Sequence, residues 1–293
     1  MRVLVLGGDG MLGHRLLLDL SKTHEVRVTL RRELDRYAVL ELFNPTNSYP
    51  EVDVRREEPL LEVLADFRPD VMINAAGIVK QREAATWGIP SIEVNALFPH
   101  RLAVIAKAVG ARMIHFSTDC VFSGRRGQYT ESDPPDPVDL YGYTKLLGEV
   151  NEPWCVTLRT SIVGLELANR RGLVEWLLKQ TGRIQGYRRV IYSGLSTQEM
   201  SRVVNTLIGD HPSLCGVWHV ASEPISKHEL LVCLLQKLGR SDIRVEPDDG
   251  LVCDRTLNAK AFALATGYSP PSWNAMLDEL AWAIQERDAT DDS

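Results

Sequence analysis

Arg2-Val3-Leu4-Val5-Leu6-Gly7-Gly8-Asp9-Gly10-Met11-Leu12-Gly13 opens the chain and decides its fold. Val3 to Leu6 make a short apolar run of the kind that forms a buried strand. A glycine turn follows at once, and an amphipathic run over about 10–21 continues it as a helix. Gly7 allows a tight turn, Gly10 lets the backbone approach a phosphate, and Gly13 lets the helix pack on the strand. A strand, a glycine turn and a helix start are where a dinucleotide pyrophosphate sits. Met11 and Leu12 are counted with the three glycines as cofactor-binding residues. The spacing is G-x-x-G-x-x-G rather than G-x-G-x-x-G. The same glycines standing alone would also suit a plain surface turn, but here the flanking strand and helix are correctly placed.

The alternation that begins there continues. Apolar runs recur at about 25–30, 71–75, 112–117 and 154–160, with helix-period stretches at about 57–67, 91–109 and 141–150 between them. Strand and helix alternating at this interval imply βαβ units and a Rossmann-type, doubly wound α/β parallel sheet. The runs ending at Asn74 and Ser117 finish in polar residues, and such carboxyl ends line the ligand crevice of an open sheet. After about residue 163 the rhythm breaks, so the expected division is a dinucleotide-binding domain over 1–163 and a smaller substrate lobe over 164–293. Helices are expected near 172–181, 198–209, 226–239, 258–266 and 272–287, and a strand at 216–221. One or two of these elements would return to the sheet. Residues 287–293 read as a solvated tail.

Composition excludes several classes. The formal net charge is -6 and there is no long basic run, which argues against nucleic acid as the partner. No stretch approaches the ~20 apolar residues of a membrane helix. The N-terminus enters a strand directly, so no signal peptide is expected. Five scattered cysteines suit reduced thiols in a cytoplasm, and neither they nor the seven histidines show metal-ligand spacing.

Chemistry concentrates at Tyr141 and Lys145, four residues apart and therefore on one helix face. Tyr143 is the competing phenol, but only Tyr141 has the lysine spacing. A neighbouring ammonium favours the phenolate and should move the phenol from its usual ~10 toward working pH. Ser117-Thr118-Asp119 brings hydroxyls from a strand end. Such a set can give a proton to a carbonyl oxygen while hydride arrives from elsewhere. The second strand is followed by Arg31-Arg32 where an NAD-binding site has an acid, so a 2′-phosphate is the natural partner, with a solvated basic loop as the plainer alternative. Asp53 is either a contact for the adenine amine or a loop cap, with Val54 beside it. Ala75-Ala76-Gly77 after Asn74 are small enough to let a cofactor lie across the sheet edge. Asn95 is a mediocre helix former in mid-helix, which suggests a task, although taken alone a solvated side chain explains it better.

Together these residues resemble the extended short-chain dehydrogenase/reductase superfamily, and within it the dTDP-4-dehydrorhamnose reductase group. The resemblance rests on Gly7–Gly13, Asn74–Gly77, Ser117–Gly124, Tyr129–Pro135, Tyr141–Glu149 and Leu158–Ser161. It implies that Tyr141 is the acid, that Lys145 holds the nicotinamide ribose, and that Thr118 bonds the carbonyl. It implies NADPH as cofactor, with NADH as an alternative, and a nucleotide-linked 4-keto-6-deoxy sugar as substrate. Cys120 departs from the group, which has a tyrosine there, and Gly194-Leu195-Ser196-Thr197 matches it loosely. Cys120, Val121, Arg188 and Arg189 are the candidate substrate residues; Tyr187-Arg188-Arg189 suits a loop for an anionic group and equally a solvated charge run. Dehydratases of this fold carry Thr-Asp-Glu where this chain has Thr118-Asp119-Cys120. Retained NAD, typical of the epimerases, conflicts with Arg31-Arg32. A non-catalytic dinucleotide-binding subunit is the third option, and an intact triad weighs against it. The expectation is a cytoplasmic reductase free of metal, with a homodimer left open.

Overall fold

The computed structural model describes residues 1–79, 88–167 and 170–291. In the first half β1 (Arg2–Leu6), α1 (Gly13–Leu20), β2 (Glu25–Thr29), β3 (Ser48–Tyr49), α2 (Glu57–Phe67) and β4 (Val71–Asn74) follow one another. Next come α3 (Gly88–Ser91), a π-helical turn (Ile92–Leu97), α4 (Phe98–Val109), β5 (Arg112–Thr118), α5 (Leu140–Leu147) and β6 (Cys155–Thr160). The second half holds β7 (Ile162–Val163), α6 (Leu173–Leu178), β8 (Gly182–Tyr187), β9 (Val190–Tyr192), β10 (Leu195–Ser196) and α7 (Thr197–Gly209). It continues through β11 (Gly216–His219), β12 (Ile225–Ser226), α8 (Lys227–Leu238), β13 (Ile243–Asp248), β14 (Cys253–Asp254), α9 (Lys260–Thr266) and α10 (Trp273–Asp291).

Seven strands form the central parallel sheet in the order β11-β6-β5-β4-β1-β2-β3, the Rossmann-type α/β arrangement. Its apolar runs are buried on both faces, as parallel strands covered by helices must be. Val3 and Val5 enter one core with α1, α7 and α10, while Leu4 and Leu6 enter another with α2 and α4. All four side chains are fully buried. The order reverses at β1, whose neighbours are β2 on one side and β4 on the other. A crevice opens outside the carboxyl ends of strands at such a switch point. Gly7 follows β1 and Ala75 follows β4, so both glycine-rich exits meet there.

In the second half, β11 pairs with β6 from Gly216↔Val156 to His219↔Arg159 and so extends the sheet. The remaining strands make small sheets of their own: β10 with β7, β12-β9-β14, and β13 with β8. Two sequence expectations change. No strand was expected before Arg188-Arg189, yet Gly182–Tyr187 pairs in parallel with Ile243–Asp248, a partner some sixty residues away that no local pattern announces, while Arg188-Arg189 form the turn between β8 and β9. The tail expected from Arg287 is helical through Asp291, and Arg287 is anchored by the buried Glu175 at 2.6 Å. Only 292–293 of that tail lie outside the described residues.

Candidate active site

The glycine turn packs closely enough to require its composition. Gly7 has φ +90°, and a Cβ there would lie 3.0 Å from Ala76 at the exit of β4. A Cβ on Gly13 would lie 2.0 Å from the Gly7 carbonyl oxygen, and one on Gly10 3.3 Å from it. The Gly8 amide donates to Thr29 O at 2.9 Å and so ties the turn to the end of β2. The result is a shallow backbone cradle at a helix start that side chains would fill, the form a pyrophosphate needs. Leu12 is buried in the core, and Met11 lies beside Gly172 from the second half of the chain. Arg31 and Arg32 are exposed where β2 ends. Asp53 acts as a cap: its carboxylate accepts from the Arg55 amide at 3.0 Å and pairs with the Arg55 guanidinium, which holds it below the usual carboxylate range. Val54 packs beside it against the core.

Asn95 is buried rather than solvated. It accepts from the Ile78 amide at 2.9 Å, returns a hydrogen bond to Ile78 O at 2.9 Å, and reaches Thr144 Oγ1 at 3.3 Å. It therefore ties the loop after Gly77 to α5. Its π-helical turn explains how an asparagine is tolerated in mid-helix, since such bulges free local backbone groups.

α5 starts at an N-cap, with Asp139 Oδ1 accepting from the Gly142 amide at 2.8 Å. A Cβ on Gly142 would lie 2.3 Å from Cys120 O, so this glycine lets the helix start touch the turn after β5. That contact brings together the residues of two motifs. The Thr118 side chain lies against the Tyr141 phenol, while its hydroxyl donates to Asp119 Oδ1 at 3.2 Å and accepts from the Cys120 amide at 3.2 Å. Lys145, one turn further on, is buried and donates to Phe116 O at 2.6 Å. Tyr143 points out to solvent.

The electrostatics differ from expectation. Burial, then the neighbouring Cys120, pushes the Tyr141 phenol above its ordinary value, and Lys145 is not among the causes. The phenol therefore stays protonated at neutral pH, the form that a general acid must have. Lys145 is brought down to about 8 by burial, against which the Glu149 carboxylate works. Asp119 is pushed up by burial, and Arg255 opposes the shift.

The candidate substrate residues separate. Cys120 stays at the cleft, its thiol pushed up to about 12 by burial and by Asp119. Val121 has a fully buried side chain, packed with Phe122, Tyr129, Ala221 and Leu257, and so cannot meet a ligand through it. Arg188 is already bound by Asp249 at 2.8 Å on an exposed edge, and Arg189 is exposed beside it. Arg255 was not foreseen. Its Nε donates to Phe122 O at 2.9 Å and its Nη1 lies 3.8 Å from Cys120 Sγ. Among the described residues no carboxylate pairs with it. The contact spans 135 residues and is carried by backbone pairing between the two segments, with the Asp254 amide donating to Gly124 O at 2.7 Å and a parallel bridge between Tyr129 and Leu257.

This switch-point cradle, joined to a threonine, tyrosine and lysine at the end of β5, defines an extended short-chain dehydrogenase/reductase. More narrowly, the chain belongs to the RmlD substrate binding domain family, whose model matches residues 1–285. A dTDP-4-dehydrorhamnose reductase of Burkholderia thailandensis is 35% identical over 151 residues, 51% of this chain and 45% of that one. Methionine adenosyltransferase 2 subunit beta of Rattus norvegicus is 30% identical over 150 residues, 50% of this chain and 41% of that one. In both comparisons the chain spans less than half of the relative's length. A dTDP-4-dehydrorhamnose reductase from Bacillus anthracis, solved in complex with NADP, has a TM-score of 0.75 at 24% identity and covers 95% of this chain and 98% of that one. Among the described residues no helix is long and apolar enough to cross a membrane.

Proposed function

We propose that this chain reduces a nucleotide diphosphate 4-keto-6-deoxy sugar to the 4-hydroxy sugar with NADPH, and accepts NADH. The observation that carries the proposal is the buried set of Thr118 against the protonated Tyr141 phenol, with Lys145 one turn further along α5. The B. thailandensis and B. anthracis names support the same reading.

The glycine turn with Met11 and Leu12 would hold the pyrophosphate, and Arg31 and Arg32 the 2′-phosphate. Ala75, Ala76 and Gly77 would border the cofactor, and Asn95 would fix the loop that follows them. Bound NADPH supplies hydride for the keto carbon. Thr118 donates a hydrogen bond to the keto oxygen and Tyr141 gives it the phenolic proton as negative charge develops there. Lys145, one turn away on α5, would supply the ammonium that stabilises the phenolate left behind. Cys120 and Arg255 face the sugar side. Arg255 is the guanidinium available for the diphosphate, in preference to Arg188 with its carboxylate partner. No step needs a metal ion.

The test is purified protein with NADPH and a panel of nucleotide-linked keto sugars, following absorbance and product mass. A product two mass units heavier with matching NADPH loss supports the reading. No reduction of any member, or loss of water from a 4-hydroxy sugar with NAD retained, sinks it. A second reading has a specific observation behind it, namely the similarity to an adenosyltransferase subunit. It makes the chain a non-catalytic partner that binds a dinucleotide without turning it over. A cytoplasmic site of action and a homodimer belong to the first proposal. Exposed Leu97 and Val104 at α4, with Tyr143 and Leu147 on α5, support the dimer, which sedimentation velocity would test.

A further inference from the structure

Asp9 is the only acid inside the glycine turn. Its side chain is half-buried, and its Oδ2 accepts from the Tyr37 hydroxyl at 2.9 Å. Tyr37 comes from the 3-10 turn Leu34–Leu40 that follows β2, and is itself buried, edge-on against Phe43 at 5.4 Å. The same hydroxyl lies against the backbone of Arg32. Asp9, Tyr37 and Arg32 therefore form a chain of contacts from the pyrophosphate cradle to the end of β2. Burial, then the Asp9 charge, pushes Tyr37 up to about 12, so it remains a donor and holds the carboxylate in one place. Among the described residues no cation pairs with Asp9.

Outside the end of the second strand, beside the glycine turn, lies the adenosine ribose of a bound dinucleotide. An acid there accepts from the ribose 2′-hydroxyl, whereas guanidiniums there hold a 2′-phosphate. This chain presents both, with the acid coming from the turn and the arginines from the strand end. We infer that Asp9 sets the cofactor choice, accepting from the ribose hydroxyls of NADH and opposing the 2′-phosphate of NADPH that Arg31 and Arg32 attract. The inference rests on the dinucleotide reading above and sharpens it. The pocket takes both cofactors because its two charges oppose each other, and its preference is poised, not fixed.

The experiment is calorimetric binding of ADP and adenosine 2′,5′-bisphosphate, then of NAD and NADP, to the intact chain. The proteins are wild type, Asp9→Asn, Asp9→Ser and the Arg31→Ala, Arg32→Ala double variant. Asparagine keeps an acceptor for Tyr37 while removing the charge, and serine guards against a fold-specific defect in the first variant. Both Asp9 variants should raise the preference for the 2′-phosphorylated ligand about tenfold, the effect of one charge-assisted contact, and the arginine variant should lower it by a similar factor. A preference within twofold of wild type in both Asp9 variants overturns the inference while leaving dinucleotide binding intact. A wild type that binds none of the four ligands overturns the dinucleotide reading and the inference with it.

Discussion

Arg159 grips Glu149 by two hydrogen bonds of 2.8 Å, Nε to Oε1 and Nη2 to Oε2, behind the helix that carries Tyr141 and Lys145. Ser117 donates to the same carboxylate at 2.6 Å, and His219 faces Arg159 Nη1 at 3.2 Å. Phrases that read in sequence as separate signatures thus meet in one buried cluster. Glu149 follows the tyrosine helix, Arg159 lies on β6, Ser117 precedes Thr118, and the Glu131 carboxylate accepts from the His219 amide. The cluster fixes α5 against the end of β5, which is what brings Thr118 and Tyr141 together.

Removing one partner of a buried, bidentate pair leaves an uncompensated charge and costs about 3–5 kcal/mol. Glu149→Gln should therefore lose stability on that scale in urea unfolding. The double variant Glu149→Met, Arg159→Met should recover much of it, because a neutral pair of similar volume carries no buried charge. A single-variant loss below about 1 kcal/mol, or a double variant no better than the single, would show that the pair does not work this way.

Tyr141→Phe should cut turnover by ~10²–10⁴ while leaving dinucleotide affinity nearly unchanged, since only the transferred proton is lost. Tyr143→Phe, on an exposed side chain, should be mild by comparison. The rate should also decline above pH 8. Burial holds Lys145 at about 8, so its ammonium is the minority form above that value and the phenolate loses its counter-charge. A loss below tenfold in Tyr141→Phe would remove it as the acid. A flat profile from pH 7 to 9.5 would refute the role given to Lys145.

The sheet and the placing of Thr118, Tyr141 and Lys145 at its edge were legible in the sequence because their signals are local. β1 with its glycine turn is twelve consecutive residues, and the four-residue step from Tyr141 to Lys145 survives any tertiary context. Asn95 was legible only as an oddity, because its partners Ile78 and Thr144 lie 17 and 49 residues away. Arg255 was invisible for the same reason on a larger scale. The parallel pairing of β8 with β13, the burial of Val121 and the Arg188–Asp249 contact are also non-local. A basic dipeptide in sequence looks equally free whether or not a carboxylate arrives from 61 residues further on. Lys145 failed to lower the Tyr141 pKa because burial, which periodicity does not quantify, outweighs a neighbouring charge.

His219 makes the protein sensitive to mild acid. Arg159 can only donate, so Nε2 of His219 must accept, and Nδ1–H donates to Tyr129 O at 3.0 Å. Burial, and then Arg159, bring its pKa down to about 4 from the ordinary 6.5. A depressed folded pKa means that the unfolded chain takes up the proton first. The contribution is fully present above pH 6.5 and is lost as pH falls from 6.5 to 4, on the order of 3 kcal/mol in all. Glutamine at 219 can accept from Arg159 and donate to Tyr129 without titrating. Urea midpoints from pH 7 to 4 should fall less steeply in His219→Gln than in wild type. Parallel curves would rule His219 out as the acid-sensitive group.

Arg255 should govern substrate affinity rather than cofactor affinity. Its guanidinium is tethered by Phe122 O and lies against the Cys120 thiol, so its orientation is fixed before a ligand arrives. The residues around it are pinned as well. Thr256 Oγ1 accepts from the Gln128 amide at 2.8 Å, and the Asn258 amide donates to Tyr129 O at 2.7 Å. A preorganised guanidinium on a diphosphate makes charge-assisted, bidentate contacts of about 1.5–3 kcal/mol each. Arg255→Met should raise KM for the nucleotide sugar roughly 10–100-fold, with a smaller change in kcat and none in NADP affinity. Arg255→Lys should recover part of the loss, because the charge returns without the fork. Arg188→Ala should change KM little, since Asp249 already holds that side chain at the surface. The comparison is steady-state kinetics of the three variants on one nucleotide-linked keto sugar, beside calorimetric NADP binding. Unchanged KM in Arg255→Met with a raised KM in Arg188→Ala would move the anion site to the β8–β9 edge. Equal losses of substrate and NADP affinity in Arg255→Met would make it a structural residue instead.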